Sequence, residues 1–387
     1  MIYLDNAATS GVKPKSVINA VNTSLNAFSV NPGRGGYDLS KKCAEIIYGC
    51  RSEVASFFGA NDATCVIFTP NCTQAINYVL KGVLNSGDHV IVSSLEHNAV
   101  MRPLYELSKT GVEVDAAEVI FDDEDATVRS FIKLIKPNTK LIFCTHASNV
   151  LGNVLPIRKI GKICKEKGIL FGVDAAQTAG VLEIDMQKDN IDYLCIASHK
   201  GLYAPMGTGI LIAQKPIPKT IIEGGTGTNS IIARQPADIP ERFESGTLNV
   251  VGIFGIRAGL KFVKEQGINE LYRKELNLCQ KCYSALSKIK GIVLYANMPQ
   301  HEQSVPTLSF NLRGVDSIEI ADFLNKKGIC VRAGLHCAPS AHRRIGTLQT
   351  GTVRVSFSAF NNQGEIATFS NAISDISKSN KNYKYFY

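Results

Sequence analysis

Short apolar runs alternate with stretches of helical periodicity along the first 250 residues of the chain. The runs lie at residues 65–68, 90–92, 141–144, 169–173, 194–197 and 210–212. Strands separated by helices in this way are typical of a mainly parallel sheet that is covered by helices on both faces. The pattern therefore predicts an α/β fold.

The pattern changes after about residue 250. Two long helical stretches, 250–266 and 269–290, are followed by shorter strand-like runs at 307–310, 329–331 and 353–357. A chain of 387 residues with 45% hydrophobic content is long and apolar enough for two or three domains. We assign residues 15–255 to a large domain, and residues 1–14 and 256–387 to a smaller α+β domain.

Composition excludes several classes of protein. The net charge of +8 is spread along the chain, which gives little support to nucleic-acid binding, and no apolar run is long enough to span a bilayer. Eleven cysteines and an N-terminus without a basic and apolar leader favour a reducing cytoplasm. Cys279 and Cys282 form a CxxC with no second ligand pair, so we interpret them as core residues and predict no metal site.

Polar residues follow five successive apolar runs. In an open α/β sheet the carboxyl ends of the strands converge on one cleft, so these residues should meet there. A lysine and an acid at strand ends suit pyridoxal phosphate (PLP), because the amine forms a Schiff base and the carboxylate protonates the pyridine nitrogen. Most lysines near Gly and Pro are solvated, but the convergence favours PLP. The residues are Thr73, His97, Asn149, Asp174, Gln177, His199 and Lys200.

These strand ends resemble those of the class V aminotransferase group of fold type I PLP enzymes, specifically cysteine desulfurases of type II. Segments 3–9, 31–36, 244–249 and 332–339 complete the resemblance, which covers almost the whole chain. It implies a large domain with a mainly parallel seven-stranded sheet between helices, plus a smaller α+β domain. It also implies a cytoplasmic homodimer that converts L-cysteine to L-alanine.

The resemblance implies that Cys337 accepts the sulfur as a persulfide and passes it to an acceptor protein or thiol, in iron-sulfur cluster assembly. Cys337 lies in a loop between two arginines, and we expect His336 and nearby cations to lower the pKa of its thiol. The other ten cysteines are expected to be core residues.

Further roles are implied residue by residue. Catalysis falls on Lys200, Cys337 and His97, whose ring stacks on PLP. Substrate binding falls on Arg354, Asn149, Ala8, Arg332 and His336, with Arg354 holding the substrate carboxylate or, alternatively, forming a structural salt bridge. Cofactor binding falls on Thr73, Cys72, His97, Asn149, Asp174, Gln177, His199, Lys200 and, from the other subunit, Thr247.

Three positions depart from the family pattern. Ala197 stands where Ser or Thr is common, Cys72 where Thr is common, and Leu335 where many type II enzymes have a second histidine. Selenocysteine lyase, or another class V aminotransferase or β-lyase, is therefore an alternative. A dinucleotide-dependent oxidoreductase lacks the GxGxxG motif, and a sulfur carrier without enzymatic activity has only the many cysteines in its favour.

Overall fold

Eleven helices and thirteen strands are found in the computed structural model, which describes residues 1–32, 35–228 and 230–383. Gly33 and Arg34 of the 31–36 segment lie outside the described residues. The helices are α1 (Lys15–Ala27), α2 (Asp38–Phe58), α3 (Cys72–Val83), α4 (Asn98–Ser108), α5 (Glu124–Lys133), α6 (Ile157–Lys167), α7 (Val250–Gln266), α8 (Ile268–Leu286), α9 (Ser317–Lys326), α10 (Pro339–Arg344) and α11 (Gln363–Tyr383). The strands are β1 (Ile2–Tyr3), β2 (Val66–Thr69), β3 (His89–Ser93), β4 (Glu113–Ala117), β5 (Thr139–Thr145), β6 (Leu170–Asp174), β7 (Tyr193–Ala197), β8 (Gly209–Ala213), β9 (Ile292–Leu294), β10 (Thr307–Leu312), β11 (Ile329–Cys330), β12 (Arg332–Gly334) and β13 (Thr352–Ser356).

The main sheet has seven strands in the order β2-β8-β7-β6-β5-β3-β4. The five neighbouring strands β7, β6, β5, β3 and β4 are parallel to one another. Strand β8 runs antiparallel to both of its neighbours, β7 and β2. The predicted α/β class with a mainly parallel seven-stranded sheet is therefore confirmed. All six predicted runs are strands of this sheet, and the seventh strand, β4, was not predicted.

Both faces of the main sheet are buried. Along β7, Leu194 and Ile196 belong to one apolar cluster, while Tyr193, Cys195 and Ala197 belong to the cluster on the opposite face. Side chains alternate between the faces of a strand, so a strand that is covered on both faces needs apolar residues at successive positions. This requirement explains why β7 appears in the sequence as an uninterrupted apolar run.

A four-stranded sheet in the order β12-β13-β10-β9 lies in the C-terminal part, where α7 and α8 match the two predicted long helices. Strand β1 pairs in parallel with β11, which ties the N-terminus to this part. The proposed division into two domains stays a prediction. Cys279 and Cys282 are fully buried in one apolar cluster, which confirms their interpretation as core residues. Within the described ranges, no helix has the length and apolar character needed to cross a membrane.

Helix α7 packs directly on the backbone that follows Lys200. A Cβ atom added at Gly259 would lie 1.9 Å from the carbonyl oxygen of Leu202, far inside van der Waals contact. Backbone at that distance cannot yield as a flexible side chain would, so α7 must approach without a side chain at this position.

We predict that Gly259→Ala destabilises the protein by about 1–3 kcal/mol, because overpacking outweighs the helix-propensity gain of about 1 kcal/mol. Urea unfolding followed by circular dichroism measures the change. Gly36→Ala is the control, because a Cβ there meets nothing within 4 Å. Equal unfolding midpoints for Gly259→Ala and the wild type would contradict the prediction.

Candidate active site

Eight of the nine residues predicted to bind the cofactor line a single pocket at the carboxyl ends of β2, β3, β5, β6 and β7. We call it the lysine pocket. The ninth residue, Thr247, lines a separate pocket together with Phe68 and Gly207. The lysine pocket is lined by Asn71, Cys72, Thr73, Ile76, His97, Ala99, Thr145, Ala147, Asn149, Asp174, Ala176, Gln177, Ala197, His199 and Lys200.

Lys200 follows β7 on a turn that the N-terminal residues hold in place. The carbonyl oxygen of His199 accepts hydrogen bonds from the Ser10 amide at 3.2 Å, the Ser10 hydroxyl at 3.0 Å, the Thr9 hydroxyl at 3.1 Å and the Lys13 amine at 3.0 Å. Burial lowers the pKa of Lys200, and the carboxylate of Asp174 offsets only part of that effect. The site therefore favours an uncharged amine more than water does.

Asp174 ends β6 and is buried. Its Oδ1 accepts hydrogen bonds from the Ala176 amide at 2.9 Å and from the Cys72 thiol at 3.5 Å. Burial raises the pKa of Cys72 well above its ordinary value, so the thiol stays protonated and donates. Within the described part of the chain Oδ2 has no hydrogen bond, which leaves it for a ring nitrogen. The Cys72 side chain thus supports Asp174, so only the backbone amide of Cys72 remains to bind a phosphate.

The N-terminus of α3 and His199 form a second end of the pocket. Asn71 caps the helix by accepting from the Gln74 amide at 2.9 Å. The first amides of a helix have no partner within it, so those of Cys72 and Thr73 suit an anion. His199 has a buried Nδ1 without a partner, and burial lowers the pKa of His199 to about 4. A neutral imidazole and helix amides fit a phosphate, even with Ala197 in place of a hydroxyl residue.

His97 caps α4 at the pocket wall. Its Nδ1 accepts from the Ala99 amide at 3.0 Å, so the proton of the neutral ring is on Nε2. Burial lowers the pKa of His97, and the ring is therefore uncharged near neutral pH. Gln177 donates from Nε2 to the carbonyl oxygen of Ala7 at 3.1 Å, which leaves its second N–H for a ligand. These features fit a ring stacked on His97 with an oxygen near Gln177.

Arg354 is 2% exposed and already has partners. Its Nη2 lies 2.7 Å from Oδ1 of Asp5, and its Nη1 donates to the Asn149 carbonyl oxygen at 3.0 Å. The salt bridge that the sequence left open as an alternative is therefore present, while the carboxylate-binding role stays a prediction. Arg332 is exposed and lies opposite Arg354 in the register of β12 and β13. Ala8 is half-buried, and its amide donates to the Asp5 carbonyl oxygen at 3.0 Å.

Cys337 is exposed on a turn, Leu335–Ala338, that lies against the pocket; we call it the cysteine turn. Asn149, which lines the pocket, donates from Nδ2 to the His336 carbonyl oxygen at 2.7 Å. The Asn98 amide donates to the Cys337 carbonyl oxygen, also at 2.7 Å. Two residues from separate parts of the sequence, Asn98 and Asn149, thus hold the backbone of the cysteine turn beside the lysine pocket.

One expectation about His336, its positive charge, is wrong, and its role in substrate binding stays a prediction. The side chain is 4% exposed, and its Nε2 lies 3.1 Å from both the carbonyl and the hydroxyl oxygen of Thr352 on a neighbouring strand. Burial, with a smaller effect of Arg354, lowers the pKa of His336 to about 2. The ring is neutral near pH 7 and places no positive charge beside Cys337.

Glu96 supports the site, and no motif in the sequence assigns it a role. It is fully buried directly before His97, and its Oε1 accepts from the Ser93 hydroxyl, from the Ser93 amide at 3.2 Å and from the Thr145 amide at 2.9 Å. It joins the ends of β3 and β5. Its position directly before His97, after the end of β3, is the one hint of a role in the sequence. Its hydrogen bond to Thr145 cannot be predicted from the sequence, because β3 and β5 become neighbours only in the folded sheet.

The class of protein follows from the family comparison. The family model of class-V aminotransferases matches residues 2–369. A probable cysteine desulfurase of Methanothermobacter thermautotrophicus is 32% identical over 385 residues, which cover 97% of this chain and 94% of the relative. A probable cysteine desulfurase of Pyrococcus abyssi is also 32% identical, with 98% and 95% covered.

Solved structures agree with the sequence relatives. The apo structure of a cysteine desulfurase from Thermococcus onnurineus superposes with a TM-score of 0.90 at 30% identity and covers 98% of this chain and 95% of its own. An Escherichia coli cysteine desulfurase in an S-sulfonic acid form superposes with a TM-score of 0.84 at 26% identity and covers 97% of this chain and 94% of its own. The chain therefore belongs to the class-V aminotransferase family and, within it, to the cysteine desulfurases. The family and enzyme class predicted from the sequence are confirmed.

The buried Glu96 carboxyl gives the protein a defined pH dependence. Burial raises its pKa from an ordinary 4.5 to about 8, so the folded protein holds a proton that the unfolded chain has lost between these values. The contribution of Glu96 to stability should therefore fall as pH rises through this window. Gln has the same shape and keeps the Oε1 acceptor but cannot ionise.

We predict that Glu96→Gln gains stability relative to the wild type as the pH rises from 5 to 8. The measurement is the urea midpoint of both proteins at the two pH values. Glu223→Gln, at an exposed position, serves as the control. Its urea midpoint should differ from that of the wild type by the same amount at both pH values. A difference for Glu96→Gln that does not change with pH would show that the carboxyl does not titrate in this window.

Proposed function

We propose that the protein is a cysteine desulfurase that binds PLP in the lysine pocket and uses Cys337 as its sulfur acceptor. One observation carries the proposal. Asn149 lines the pocket of Lys200 and Asp174, and its side chain also holds the cysteine turn. A cofactor lysine and a nucleophilic thiol therefore belong to one site, which is what sulfur abstraction requires.

PLP would be held by the pocket residues described above. The α3 amides, Thr73 and His199 would bind its phosphate, Asp174 Oδ2 its ring nitrogen, and Lys200 its aldehyde carbon. When bound, PLP withdraws electrons from the α-carbon of an attached amino acid. Asp174 would keep a proton on the ring nitrogen, and the Cys72 thiol fixes the orientation of that carboxylate.

Lys200 moves the α-proton of the substrate. Because burial lowers its pKa, more of the amine is free to accept a proton from Cα than would be free in water. The hydrogen bonds to the His199 carbonyl oxygen keep the lysine backbone in place while the side chain moves. The Nδ1 of His97 is occupied by the Ala99 amide. His97 would therefore stack on the cofactor ring as a neutral imidazole.

Cys337 receives the sulfur. Its thiolate attacks the sulfur of the bound L-cysteine, an S–S bond forms, and the Cβ–S bond breaks. The bonding electron pair stays with the carbon skeleton, which takes up one proton at Cβ, regains a proton at Cα from Lys200 and leaves as L-alanine. The Cys337 persulfide then gives its terminal sulfur to an acceptor thiol. L-Selenocysteine has the same bonds in the same places and is the alternative substrate.

The downstream use of the sulfur is part of the proposal. A persulfide on an exposed turn is accessible to the thiol of an acceptor protein, and iron-sulfur cluster assembly is the use we infer from family resemblance. A cytoplasmic location is supported by the eleven cysteines, each of which is a free thiol.

We predict that Cys337→Ala lowers the rate of L-alanine formation from L-cysteine by at least about 100-fold while the visible absorption of bound PLP remains. Lys200→Ala should lose both the formation of L-alanine and the visible absorption of bound PLP. Cys330→Ala, which removes a half-buried cysteine of β11, is the matched control and should keep wild-type activity. Wild-type turnover in Cys337→Ala would favour an aminotransferase or β-lyase that needs no thiol.

We also propose that the active form is a homodimer in which Thr247 completes the partner's lysine pocket. Within one chain, Thr247 lines a pocket that shares no residue with the lysine pocket. Its hydroxyl therefore does not serve the site of its own chain, and a second copy is the source that family resemblance implies. Light scattering should give twice the mass of the 42.0 kDa chain.

Mixed dimers test this arrangement. We predict that Thr247→Ala weakens PLP binding about tenfold or more, as expected for a lost hydrogen bond to a charged group. A mixed dimer of Thr247→Ala and Lys200→Ala subunits should regain one site of wild-type affinity, because that site takes Lys200 from one chain and Thr247 from the other. Failure to regain this affinity would place Thr247 outside the partner's site.

A further inference from the structure

The cysteine turn has a backbone conformation that side chains disfavour. The Ala338 amide donates to the Leu335 carbonyl oxygen at 2.9 Å, and the two residues between them have φ values of +49° at His336 and +56° at Cys337. Turns with positive φ at both central positions normally use Gly, Asn or Asp there. Neither residue here is of these types, so the surroundings must hold the turn.

His336 holds the turn from its buried side. Its Nε2 faces the Thr352 carbonyl oxygen, which can only accept, so Nε2 carries the proton of the neutral ring. Nδ1 is then an acceptor, and it is buried without a partner. The side chain next to the sulfur acceptor is therefore fixed at one nitrogen only.

His342 provides the adjacent support. It is fully buried on α10, its Nδ1 lies 2.8 Å from the Thr347 hydroxyl, and its ring centre is 5.6 Å from that of His336. Its Nε2 is also buried without a partner. Each ring thus has one buried nitrogen without a partner, and the two rings pack against each other with their planes tilted by 37°.

We propose that His342 is a positioning residue for Cys337: its buried imidazole holds His336, and thereby holds the sulfur-accepting thiol in the left-handed turn beside the lysine pocket. This inference rests on the proposed function of Cys337. It gives a physical role to a fully buried residue of α10. His342 does not touch the substrate and acts through the turn.

The test compares His342→Phe, which keeps a ring but loses both nitrogens, with His342→Gln, which keeps polar atoms. Arg343→Ala, at an exposed position of the same helix, is the control. The first readout is hydrogen exchange of the cysteine turn in the holoenzyme, measured by mass spectrometry. We expect exchange about tenfold faster in His342→Phe and unchanged in Arg343→Ala.

The second readout is kinetic. His342→Phe should lower kcat for L-alanine about tenfold to a hundredfold, with KM for L-cysteine and the PLP absorption unchanged, because a displaced thiol affects only sulfur transfer. His342→Gln should recover part of the loss. Wild-type exchange and wild-type kcat in His342→Phe would overturn the proposal.

Two further comparisons separate the possible failures. If His342→Phe does not fold, Thr347→Val removes the hydroxyl that orients His342 and should speed exchange of the same turn; unchanged exchange there would overturn the proposal. If wild-type protein forms no L-alanine from L-cysteine, the proposed function fails, whereas the exchange comparison still decides whether His342 holds the turn.

Discussion

The active site depends on keeping the Lys200 amine out of water beside the Asp174 carboxylate. Burial makes the ammonium form of a lysine costly, and the attraction of Asp174 returns only part of that cost. The fold meets the requirement by ending β6 and β7 at one edge of the sheet and by holding the turn after β7 through the His199 carbonyl oxygen. The N-terminal segment and the sheet are thereby part of one site.

The sequence predicted the strands that are buried on both faces and missed those that are not. The six predicted runs have apolar residues at successive positions, which only a doubly covered strand requires. Strand β4 lies at the edge of the sheet, is partly exposed and contains Glu113 and Asp115, so no apolar run marks it. The antiparallel direction of β8 is also invisible in the sequence, because β2 and β7 become its neighbours only in the folded sheet.

The site residues also divide into those that the sequence predicts and those that only the folded structure shows. Residues at strand ends were found because the topology of a parallel sheet brings them together whatever their distance in sequence. The Cys72–Asp174 and Arg354–Asp5 contacts join residues 102 and 349 positions apart, and no periodicity indicates such pairs. His336 was misjudged because it directly precedes Cys337 in a loop that also contains Arg332, whereas its neighbours in space bury it and make the charged form unfavourable.

The histidines of the site have a common electrostatic consequence. Burial lowers the pKa values of His97, His199 and His336, so none of the three carries a charge near pH 7. Positive charge for an anionic cofactor and substrate must therefore come from helix amides and the arginines. Arg354 is paired with Asp5, whereas Arg332 has no ion pair in the described part of the chain. A substrate carboxylate that reaches Arg354 must share it with Asp5, and the guanidinium without such a competitor is that of Arg332.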